Sequence, residues 1–434
     1  MELVDRVHQV LKDNDCGSWT RPASGLYPHQ WLWDSCFIAI GLSHVDWPRA
    51  CQEILSLKEG QWKNGMIPHI RFSEDQTLDY FPDWRWWQTE GVSGRNAKTT
   101  GITQPPIIAD AVLRVYENAP PRNEGIKFLE KTYSFIKKFH YWIKEKRDPL
   151  DTGLFFTCHP DETGLDNLPV WDKILNSIPQ EKISPSVAEL ADKKLETDHY
   201  VSKDQRPNRE FYLRNYYLIE KYREWDYDLK KIFNHSPFVV YDCLMNTVWS
   251  KSNNALAKIA GLLGEKEDER MFVNWANQTK EAMNEKLWDE ENGLYFDLDI
   301  REDRLIKTKS FVSLLPLYAN IPSKKQAKSL VEEHLLNKNE FYAPHPIPTT
   351  PPTEKSFDPI NYWRGPVWIN VNWFIIEGLR NYGFNEEAET LKQKTISLIE
   401  NAGFREYFNP NTGEGLGGKD FSWSAALAID LIRT

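Results

Sequence analysis

The apolar residues of this sequence recur with a helical period along nearly the whole chain. Phe272, Trp275, Ala276, Thr279 and Met283, for example, share one face of a helix. Helical stretches are predicted to begin near residues 3, 30, 47, 105, 124, 209, 237, 267, 309, 323, 366, 385 and 421. Alternating apolar and polar runs are scarce, which disfavours a doubly wound α/β fold. The pattern therefore predicts an all-α protein.

Similar turns recur between the predicted helices. The segment Asp151–Phe156 resembles Glu291–Phe296, and both have glycine at the third position, Gly153 and Gly293; Gly413 stands in a third turn of this kind. Glycine is suited to a tight turn that needs a positive φ. Recurrent helix pairs joined by such turns indicate a toroid of helical hairpins, and six pairs would close into an (α/α)6 barrel. The alternative is a set of unrelated helices with common turns.

One stretch interrupts the helical pattern. Residues 167–208 are polar and poorly periodic, and they contain four prolines. A long irregular insert in a compact domain is often a lid or a binding loop. Because no interdomain linker is recognisable, we predict a single catalytic domain over 1–434 with a cap-like insert at about 167–236, which we call the cap.

Charge and cysteine content exclude several classes of function. The net charge is −10 without a long Lys/Arg block, so neither a nucleic-acid partner nor a membrane partner is expected. The first residues do not resemble a secretory signal. Five cysteines without a Cys-x-x-Cys pair argue against a disulfide framework and a thiolate zinc site, and favour the cytoplasm. The sequence allows a homo-oligomer but does not determine the oligomeric state, because barrel rims and dimer faces look alike in sequence.

Aromatic residues are unusually frequent, with 18 Trp, 18 Tyr and 21 Phe. Tryptophan has a flat apolar face and one N–H donor, which match the C–H face and the hydroxyl rim of a sugar ring. A tryptophan-rich core without such a function is the alternative.

An aspartate in a glycine turn is the first candidate for chemistry. Asp166 lies in Thr163–Asn167, where a turn at Gly164 can project the carboxyl group into a cavity. Partial burial would raise its pKa, so that it could hold a proton near neutral pH and donate it to a leaving oxygen. The alternative is an aspartate that caps a helix or forms the turn.

A glutamate among aromatic residues is the second candidate. Glu406 lies in Phe404–Phe408, and such a glutamate must pair with a cation, bind a proton or take part in chemistry. Arg405 is its structural partner in the alternative interpretation. Glycoside hydrolysis uses two carboxyl groups, which are about 6.5–9.5 Å apart in inverting enzymes. Asp166 and Glu406 can meet only if the chain closes on itself.

Two tryptophan-rich segments complete the candidate residues. In Tyr27–Ser35, Trp31 and Asp34 are three positions apart and share a helix face, where they could stack on a sugar and accept from its hydroxyls. The alternative is a half-buried helix start. In Tyr362–Asn370, two tryptophans, a tyrosine and Arg364 surround a Gly-Pro pair; Arg364 could instead simply brace the turn.

Taken together, these segments resemble glycoside hydrolase family 63 and its trehalase relatives. Trp31–Ser35, Thr163–Asn167, Tyr362–Trp368 and Glu406–Trp423 match the family's motifs in order over most of the chain. The resemblance implies an (α/α)6 barrel, an inverting mechanism, and neither a redox cofactor nor a catalytic metal. It is strongest to short, cytosolic bacterial members that hydrolyse 2-O-α-mannosylglycerate or 2-O-α-glucosylglycerate.

The resemblance also implies roles for individual residues. Asp166 matches the general acid and Glu406 the general base. Arg206 and Tyr212 look like cap residues that hold the glycerate carboxylate, with Arg209 and Arg214 as other candidates for the arginine. The remaining substrate-binding candidates are Tyr27, Trp31, Trp33, Asp34, Gln104, Tyr362, Trp363, Arg364 and Trp368. After the acid, the segment Asn167–Asp172 departs from relatives, which more often have Ser and Arg there.

Other functions fit parts of the pattern. An α-glucosidase or trehalase-like enzyme would act on a neutral disaccharide. An inactive sugar-binding toroid would lack turnover, although both candidate carboxylates are present. A terpene cyclase-like enzyme is more remote, because its acidic metal-binding clusters are not evident. Mannose and glucose differ at one hydroxyl, and the sequence does not decide between them.

Overall fold

The computed structural model describes residues 2–74, 80–120, 122–197 and 201–434. Its α-helices in these residues are α1 Leu3–Asp13, α2 Leu32–Leu42, α3 Trp47–Gly60, α4 Trp84–Trp87, α5 Glu90–Ser93, α6 Ile108–Glu117, α7 Arg122–Arg147, α8 Asp172–Asn176, α9 Pro185–Thr197, α10 Arg209–Glu224, α11 Leu229–His235, α12 Cys243–Leu263, α13 Lys266–Lys286, α14 Lys324–Ser329, α15 Ile369–Asn381, α16 Asn385–Ala402 and α17 Ser422–Arg433. Short 3-10 helices span Pro160–Glu162, Pro169–Trp171, Gln180–Lys182, Lys203–Gln205, Phe311–Ser313 and Leu315–Ala319, and a π-helical turn spans Leu330–Leu335. Within these described stretches, no helix is both long and apolar enough to cross a membrane.

The helices close into a double ring. In the inner ring α2, α6, α12, the 3-10 helix Leu315–Ala319, α15 and α17 each pack against the next, and α17 packs back against α2. The helices α1, α3, α7, α13 and α16 pack outside it, and α14 with its π-helical turn follows the fourth inner helix. Inner and outer helices alternate along the chain, which confirms the predicted (α/α)6 barrel.

Burial explains which helices lie inside. Every residue of α2 is buried, as an inner helix surrounded on all sides requires. In α13 a single stripe containing Phe272, Ala276, Thr279 and Met283 is buried, so this outer helix faces the ring with the predicted side. The helical period of the sequence therefore predicted both the element and its orientation.

Two predicted helix starts differ from the structure. Near residue 309 the chain forms the 3-10 helices Phe311–Ser313 and Leu315–Ala319, because Pro316 lacks the N–H that a longer α-helix would use. Near residue 237 a short strand comes first, and α12 begins only at Cys243, where the Asp242 side chain accepts a hydrogen bond from the Met245 N–H (2.5 Å).

The strands are short and antiparallel. They are β1 Gln30–Trp31, β2 Ile70–Arg71, β3 Val240–Tyr241, β4 Trp288–Asp289, β5 Leu294–Tyr295, β6 Leu298–Asp299, β7 Arg304–Leu305, β8 Tyr407–Phe408 and β9 Gly415–Leu416. The pairs are β1–β2, β4–β5 and β8–β9, and β3, β6 and β7 form one sheet in the order β3-β6-β7. Single bridges join Val367, just before α15, to Pro348 and Phe408. They tie together the segments that lead into the inner helices.

The turns that recur in the sequence have the expected backbone. Gly153 (φ 84°), Gly293 (φ 63°) and Gly413 (φ 74°) all lie in the left-handed region that favours glycine. At Gly153 a Cβ atom would also stand 2.9 Å from the Gln278 carbonyl oxygen of α13, so this turn packs closely on the outer helix.

The cap is more regular than the sequence pattern indicated. Residues 167–208, predicted to be irregular, contain α8 and α9. The helix α9 packs against α10, and the two bury a small apolar cluster of their own: Val187, Leu190, Ala191, Tyr212, Leu213 and Tyr216. Three apolar positions at i, i+3 and i+4 are enough to pair the two helices, although they are too few for a clear period in the sequence. Residues 198–200 of the cap lie outside the described residues.

Candidate active site

A deep cavity of about 980 Å³, open solvent at its mouth included, brings the predicted residues together. Its lining contains every predicted catalytic or substrate-binding residue except Arg364: Tyr27, Trp31, Trp33, Asp34, Gln104, Asp166, Arg206, Tyr212, Tyr362, Trp363, Trp368 and Glu406. These side chains come from the segments before or at the start of inner helices, from the turn at Gly164, and from the cap. Ring closure and the cap together therefore assemble the pocket.

Asp166 is positioned by a rigid turn. The buried side chain of Glu162, in the 3-10 helix Pro160–Glu162, forms an ion pair with the buried guanidinium of Arg147. Gly164 follows with φ 70°, and a Cβ atom there would overlap the Trp33 ring. Only glycine therefore lets the turn lie flat against this tryptophan and deliver Asp166 to the pocket.

The surroundings of Asp166 favour its protonated form. Burial raises the pKa of this carboxyl from 3.8 to about 8, and the neighbouring carboxyl of Asp161 acts in the same direction. Burial also raises the pKa of Asp161, to about 7, although Asn215 donates a hydrogen bond to it (2.9 Å). Asp166 is thus suited to carry a proton at neutral pH.

Glu406 is held by four donors. Its Oε1 accepts from the Tyr27 hydroxyl (2.7 Å) and from Nη1 of Arg206 (3.4 Å). Its Oε2 accepts from the Gly418 N–H (2.8 Å) and from Nη2 of Arg206 (3.3 Å). The Tyr362 hydroxyl lies 3.1 Å from that of Tyr27. Glu406 is almost completely buried, and its negative charge is matched by a cation and by oriented dipoles.

Two glycines that directly follow β9, Gly417 and Gly418, fit closely around Glu406. Gly417 has φ 64°, and a Cβ atom at this position would stand 2.5 Å from Oε2 of Glu406 and equally close to the Tyr407 ring. The Glu406 N–H donates to the Gly418 carbonyl (2.9 Å), while the Gly418 N–H returns a bond to the side chain. A side chain at position 417 would displace the carboxylate.

Aromatic rings form the walls of the cavity. Trp363 and Trp368 stack in parallel with centroids 3.7 Å apart, and Nε1 of Trp368 donates to the Tyr362 carbonyl (3.1 Å). Trp33 packs edge-on against Trp423 at 5.4 Å. These contacts fix the rings in place and make the wall of the cavity rigid.

Polar groups are placed between the rings. Asp34 lies in the first turn of α2, and burial raises the pKa of its carboxyl well above the ordinary value, with the charge of Glu406 adding to the effect. The Gln104 Oε1 accepts from the Trp33 N–H (3.2 Å), which fixes the amide at the pocket wall. Both side chains are suited to bonds with sugar hydroxyls.

Arg364, predicted to bind substrate, has the bracing role that the sequence left as its alternative. Its guanidinium donates two bonds to Asp172 in α8 (2.9 and 2.7 Å) and one to the Asn167 carbonyl (3.4 Å). These contacts direct it away from the cavity lining. The Asn167 side chain itself accepts from the Trp363 N–H (3.1 Å) and donates to Oδ1 of Asn361 (2.7 Å). Asn167 and Arg364 therefore connect the turn of Asp166 to the Trp363 loop and to the cap.

Arg206 lies in the pocket, and its protein partners there are Glu406 and Tyr27. Its guanidinium faces Glu406 and donates to the Tyr27 hydroxyl (2.8 Å), and it stacks 4.8 Å from the centre of the Tyr362 ring. Arg209 is partly exposed and forms an ion pair with Asp192, and Arg214 forms one with Glu210. Arg206 is thus the arginine of these three that reaches the site.

Several lining residues were missed by sequence reasoning, namely His69, Tyr80, Asp161, Lys194, Asn215 and Tyr216. Asp161 stands five positions before Asp166 and could have been considered from that spacing. The others come from the cap or from distant loops and carry no motif. Among the residues that the structure describes, no group of three or more His, Cys, Asp or Glu side chains could hold a metal ion.

In this barrel, two carboxyl groups and a set of aromatic rings line one sugar-sized pocket. This arrangement is that of a glycoside hydrolase active site. Comparisons agree: the family model of the mannosylglycerate hydrolase MGH1-like glycoside hydrolase domain matches residues 27–424. The mannosylglycerate hydrolase of Thermus thermophilus is 42% identical over 97% of this chain and 98% of that protein. The glucosylglycerate hydrolase of Mycolicibacterium hassiacum is 32% identical over 99% of this chain and 97% of its own length.

A solved structure gives the same result. It is that of a family 63 mannosylglycerate hydrolase from another strain of Thermus thermophilus, in complex with Tris and D-glycerate. It superposes with a TM-score of 0.91 at 41% identity, and the match covers both chains completely. The chain therefore belongs to the MGH1-like enzymes of glycoside hydrolase family 63.

Proposed function

We propose that this enzyme hydrolyses a 2-O-α-hexosyl-D-glycerate with inversion, with Asp166 as general acid and Glu406 as general base. The observation that carries the proposal is that these two carboxyl groups line one aromatic pocket in opposite environments. Asp166 lies beside another carboxyl group and its pKa is about 8, whereas Glu406 lies against Arg206 and hydroxyl and amide donors. Opposed environments of this kind separate an acid from a base.

The reaction follows from these assignments. Asp166 gives its proton to the glycosidic oxygen as the bond between this oxygen and the anomeric carbon breaks. Glu406 takes a proton from a water that attacks the opposite face of the same carbon, so the released sugar has the inverted configuration. Glycerate leaves with the proton from Asp166, and the two carboxyl groups return to their initial states when protons exchange with solvent.

The sugar is proposed to bind between Trp31, Asp34, Trp363 and Trp368. Tyr407 covers the face of Trp368 opposite Trp363, so the edges of the stacked indoles would contact the ring. Asp34 and Gln104 would bond with its hydroxyls. The names of the relatives support a mannosyl group first, since the Thermus thermophilus enzyme is 42% identical and the glucosylglycerate hydrolase 32%.

The glycerate is proposed to bind under the cap. Arg206, Lys194 and Tyr212 line that side of the cavity, and a guanidinium fork suits a carboxylate. We further propose that the chain acts as one catalytic domain, with residues 167–236 as a cap that closes over the aglycone. The separate apolar cluster between α9 and α10 supports the cap.

A cytoplasmic location is also proposed. All five cysteines, Cys16, Cys36, Cys51, Cys158 and Cys243, are free thiols, as is usual in a reducing compartment. The absence of a nucleic-acid partner and the oligomeric state stay predictions, and the molar mass in solution measured by light scattering would decide the second.

Proton NMR with 2-O-α-mannosylglycerate and 2-O-α-glucosylglycerate in separate tubes tests the proposal. We expect β-sugar to appear in the first minutes with one or both substrates, which also identifies the preferred sugar. Early α-sugar would refute inversion. If neither hexosylglycerate is consumed but a neutral α-disaccharide is, the assignment of the aglycone is wrong.

A further inference from the structure

We propose that Arg206 is a switch that keeps the base Glu406 engaged until the carboxylate of the aglycone takes over its guanidinium. The inference rests on the proposed function, because it assumes that Glu406 is the base and that the aglycone is an anion. It goes beyond binding: Arg206 would decide not only which substrate is held but also when Glu406 is free to react.

The first observation is that Glu406 has no acceptor site to spare. An ionised carboxylate offers about four lone-pair sites. In the structure the Tyr27 hydroxyl and Arg206 Nη1 occupy Oε1, while the Gly418 N–H and Arg206 Nη2 occupy Oε2. A general base must accept a hydrogen bond from the water that it deprotonates. Glu406 can do so only after one of its four donors withdraws.

The second observation identifies the donor that withdraws. The bonds from Tyr27 and Gly418 measure 2.7 and 2.8 Å, whereas those from Arg206 measure 3.4 and 3.3 Å. Charge-assisted bonds of an arginine with a carboxylate are normally about 2.7–2.9 Å long. The Arg206 pair with Glu406 is therefore loose, and Glu406 keeps its two shorter bonds when the guanidinium leaves. In leaving, Arg206 also gives up the 2.8 Å bond from its Nη1 to the Tyr27 hydroxyl.

The third observation is that Arg206 has unused capacity on a fixed backbone. Its buried Nε has no hydrogen-bond partner among the described residues. Its carbonyl accepts a bond from Asn361 (3.1 Å), and the Gln205 carbonyl beside it accepts one from the Tyr407 hydroxyl (2.6 Å). The side chain can therefore turn toward a second carboxylate while the cap segment that carries it stays in place.

These contacts define an exchange of partners. A substrate carboxylate entering under the cap would form a forked pair with Arg206, and the guanidinium would release one acceptor site on each oxygen of Glu406. A neutral aglycone cannot make this exchange, so it would leave Glu406 occupied even when the sugar itself is bound. Neutral glycosides would thus react slowly in the chemical step even when they are bound, so the discrimination would not come from binding alone.

A substrate without a carboxylate separates the switch from binding. An α-glycosyl fluoride of the preferred sugar needs Glu406 to deprotonate the attacking water, but fluoride departs without a proton from Asp166 and leaves the aglycone site empty. With the wild-type enzyme we expect D-glycerate to raise kcat for the fluoride roughly tenfold, as releasing a charged hydrogen-bond partner would. Glycerol, which has the hydroxyls without the carboxylate, should have no such effect.

Two enzyme variants, assayed with the same fluoride, provide the second part of the test. Arg206→Met removes the guanidinium and keeps most of the side-chain volume, so it should hydrolyse the fluoride faster than wild type without glycerate and should not respond to glycerate. The matched control is Arg209→Ala, because Arg209 is a partly exposed cap arginine paired with Asp192. This control should retain the activation by glycerate.

The two possible failures are distinguishable. If the wild-type enzyme consumes neither hexosylglycerate, the proposed function is wrong. If it consumes one, but saturating D-glycerate leaves its rate on the fluoride unchanged or lowers it, the switch is refuted whether or not Arg206→Met folds. Slower fluoride hydrolysis by a folded Arg206→Met protein would refute it as well.

Discussion

The pH dependence of the reaction should show a limb set by Asp166. The general acid must carry its proton, and the structure raises the pKa of this carboxyl from 3.8 to about 8 by burial and by the neighbouring Asp161. We expect kcat/KM for the glycoside to be flat near neutral pH and to fall about tenfold per pH unit above about pH 8.

The size of the effect follows from the titration. At pH 7 a carboxyl group with a pKa of about 8 is about 90% protonated, whereas one at 3.8 would be protonated in less than roughly one molecule in a thousand. The environment of Asp166 thus raises the protonated fraction of this carboxyl group at neutral pH about a thousandfold.

Two substrates and two variants make the assay specific. The alkaline limb should appear with the glycoside and be absent with the α-glycosyl fluoride, whose leaving group needs no acid. Asp161→Asn removes a neighbouring negative charge, so it should shift the limb to lower pH, and Asp166→Asn should lose turnover of the glycoside but retain that of the fluoride. An identical alkaline limb with both substrates would refute the assignment of Asp166.

The same pKa shift predicts a change in stability. Asp166 binds its proton more tightly in the folded state than in the unfolded chain, so its contribution to the free energy of unfolding falls as the pH rises from about 4 to about 8. Asparagine does not ionise. The Tm of Asp166→Asn should therefore exceed that of wild type at pH 8, and the difference should vanish near pH 3; a constant difference would contradict this account.

Three further predictions concern Glu406, its glycine turn and the support of Asp166. Glu406→Gln should lower turnover of both the glycoside and the fluoride by roughly a thousandfold in protein that still folds, since neither substrate can react without a base; residual rates near wild type would contradict this role. Gly417→Ala should lower kcat about a hundredfold, because its Cβ would stand 2.5 Å from Oε2 of Glu406, whereas the control Gly383→Ala, also at positive φ (81°) but with nothing within 4 Å, should leave kcat unchanged. Arg147→Met should cost about 3–5 kcal/mol in urea unfolding, because it leaves the carboxylate of Glu162 buried and unpaired; the control Lys127→Met breaks an exposed pair and should leave the urea midpoint nearly unchanged.

The sequence by itself determined most of the helices and the candidate acid and base. A helical period is a relation among residues a few positions apart, so it shows directly in the sequence, as the buried stripe of α13 illustrates. The glycine turns were readable for the same reason, because Gly153 and Gly293 need their positive φ whatever surrounds them. Asp166 and Glu406 could be predicted as candidates because each stands in a short motif of consecutive residues.

The tertiary structure decided which partners these residues have. Arg206 and Glu406 are 200 positions apart, and Arg364 and Asp172 are 192 positions apart. No local pattern relates them, and the choice between Arg206 and its neighbours Arg209 and Arg214 depended on which side chain points inward once α10 packs on α9. The high pKa of Asp166 likewise comes from burial and from Asp161, which act only after the turn at Gly164 closes against Trp33. Burial and long-range charge are properties of the closed ring, because they arise from groups that the chain brings together only when the barrel is complete.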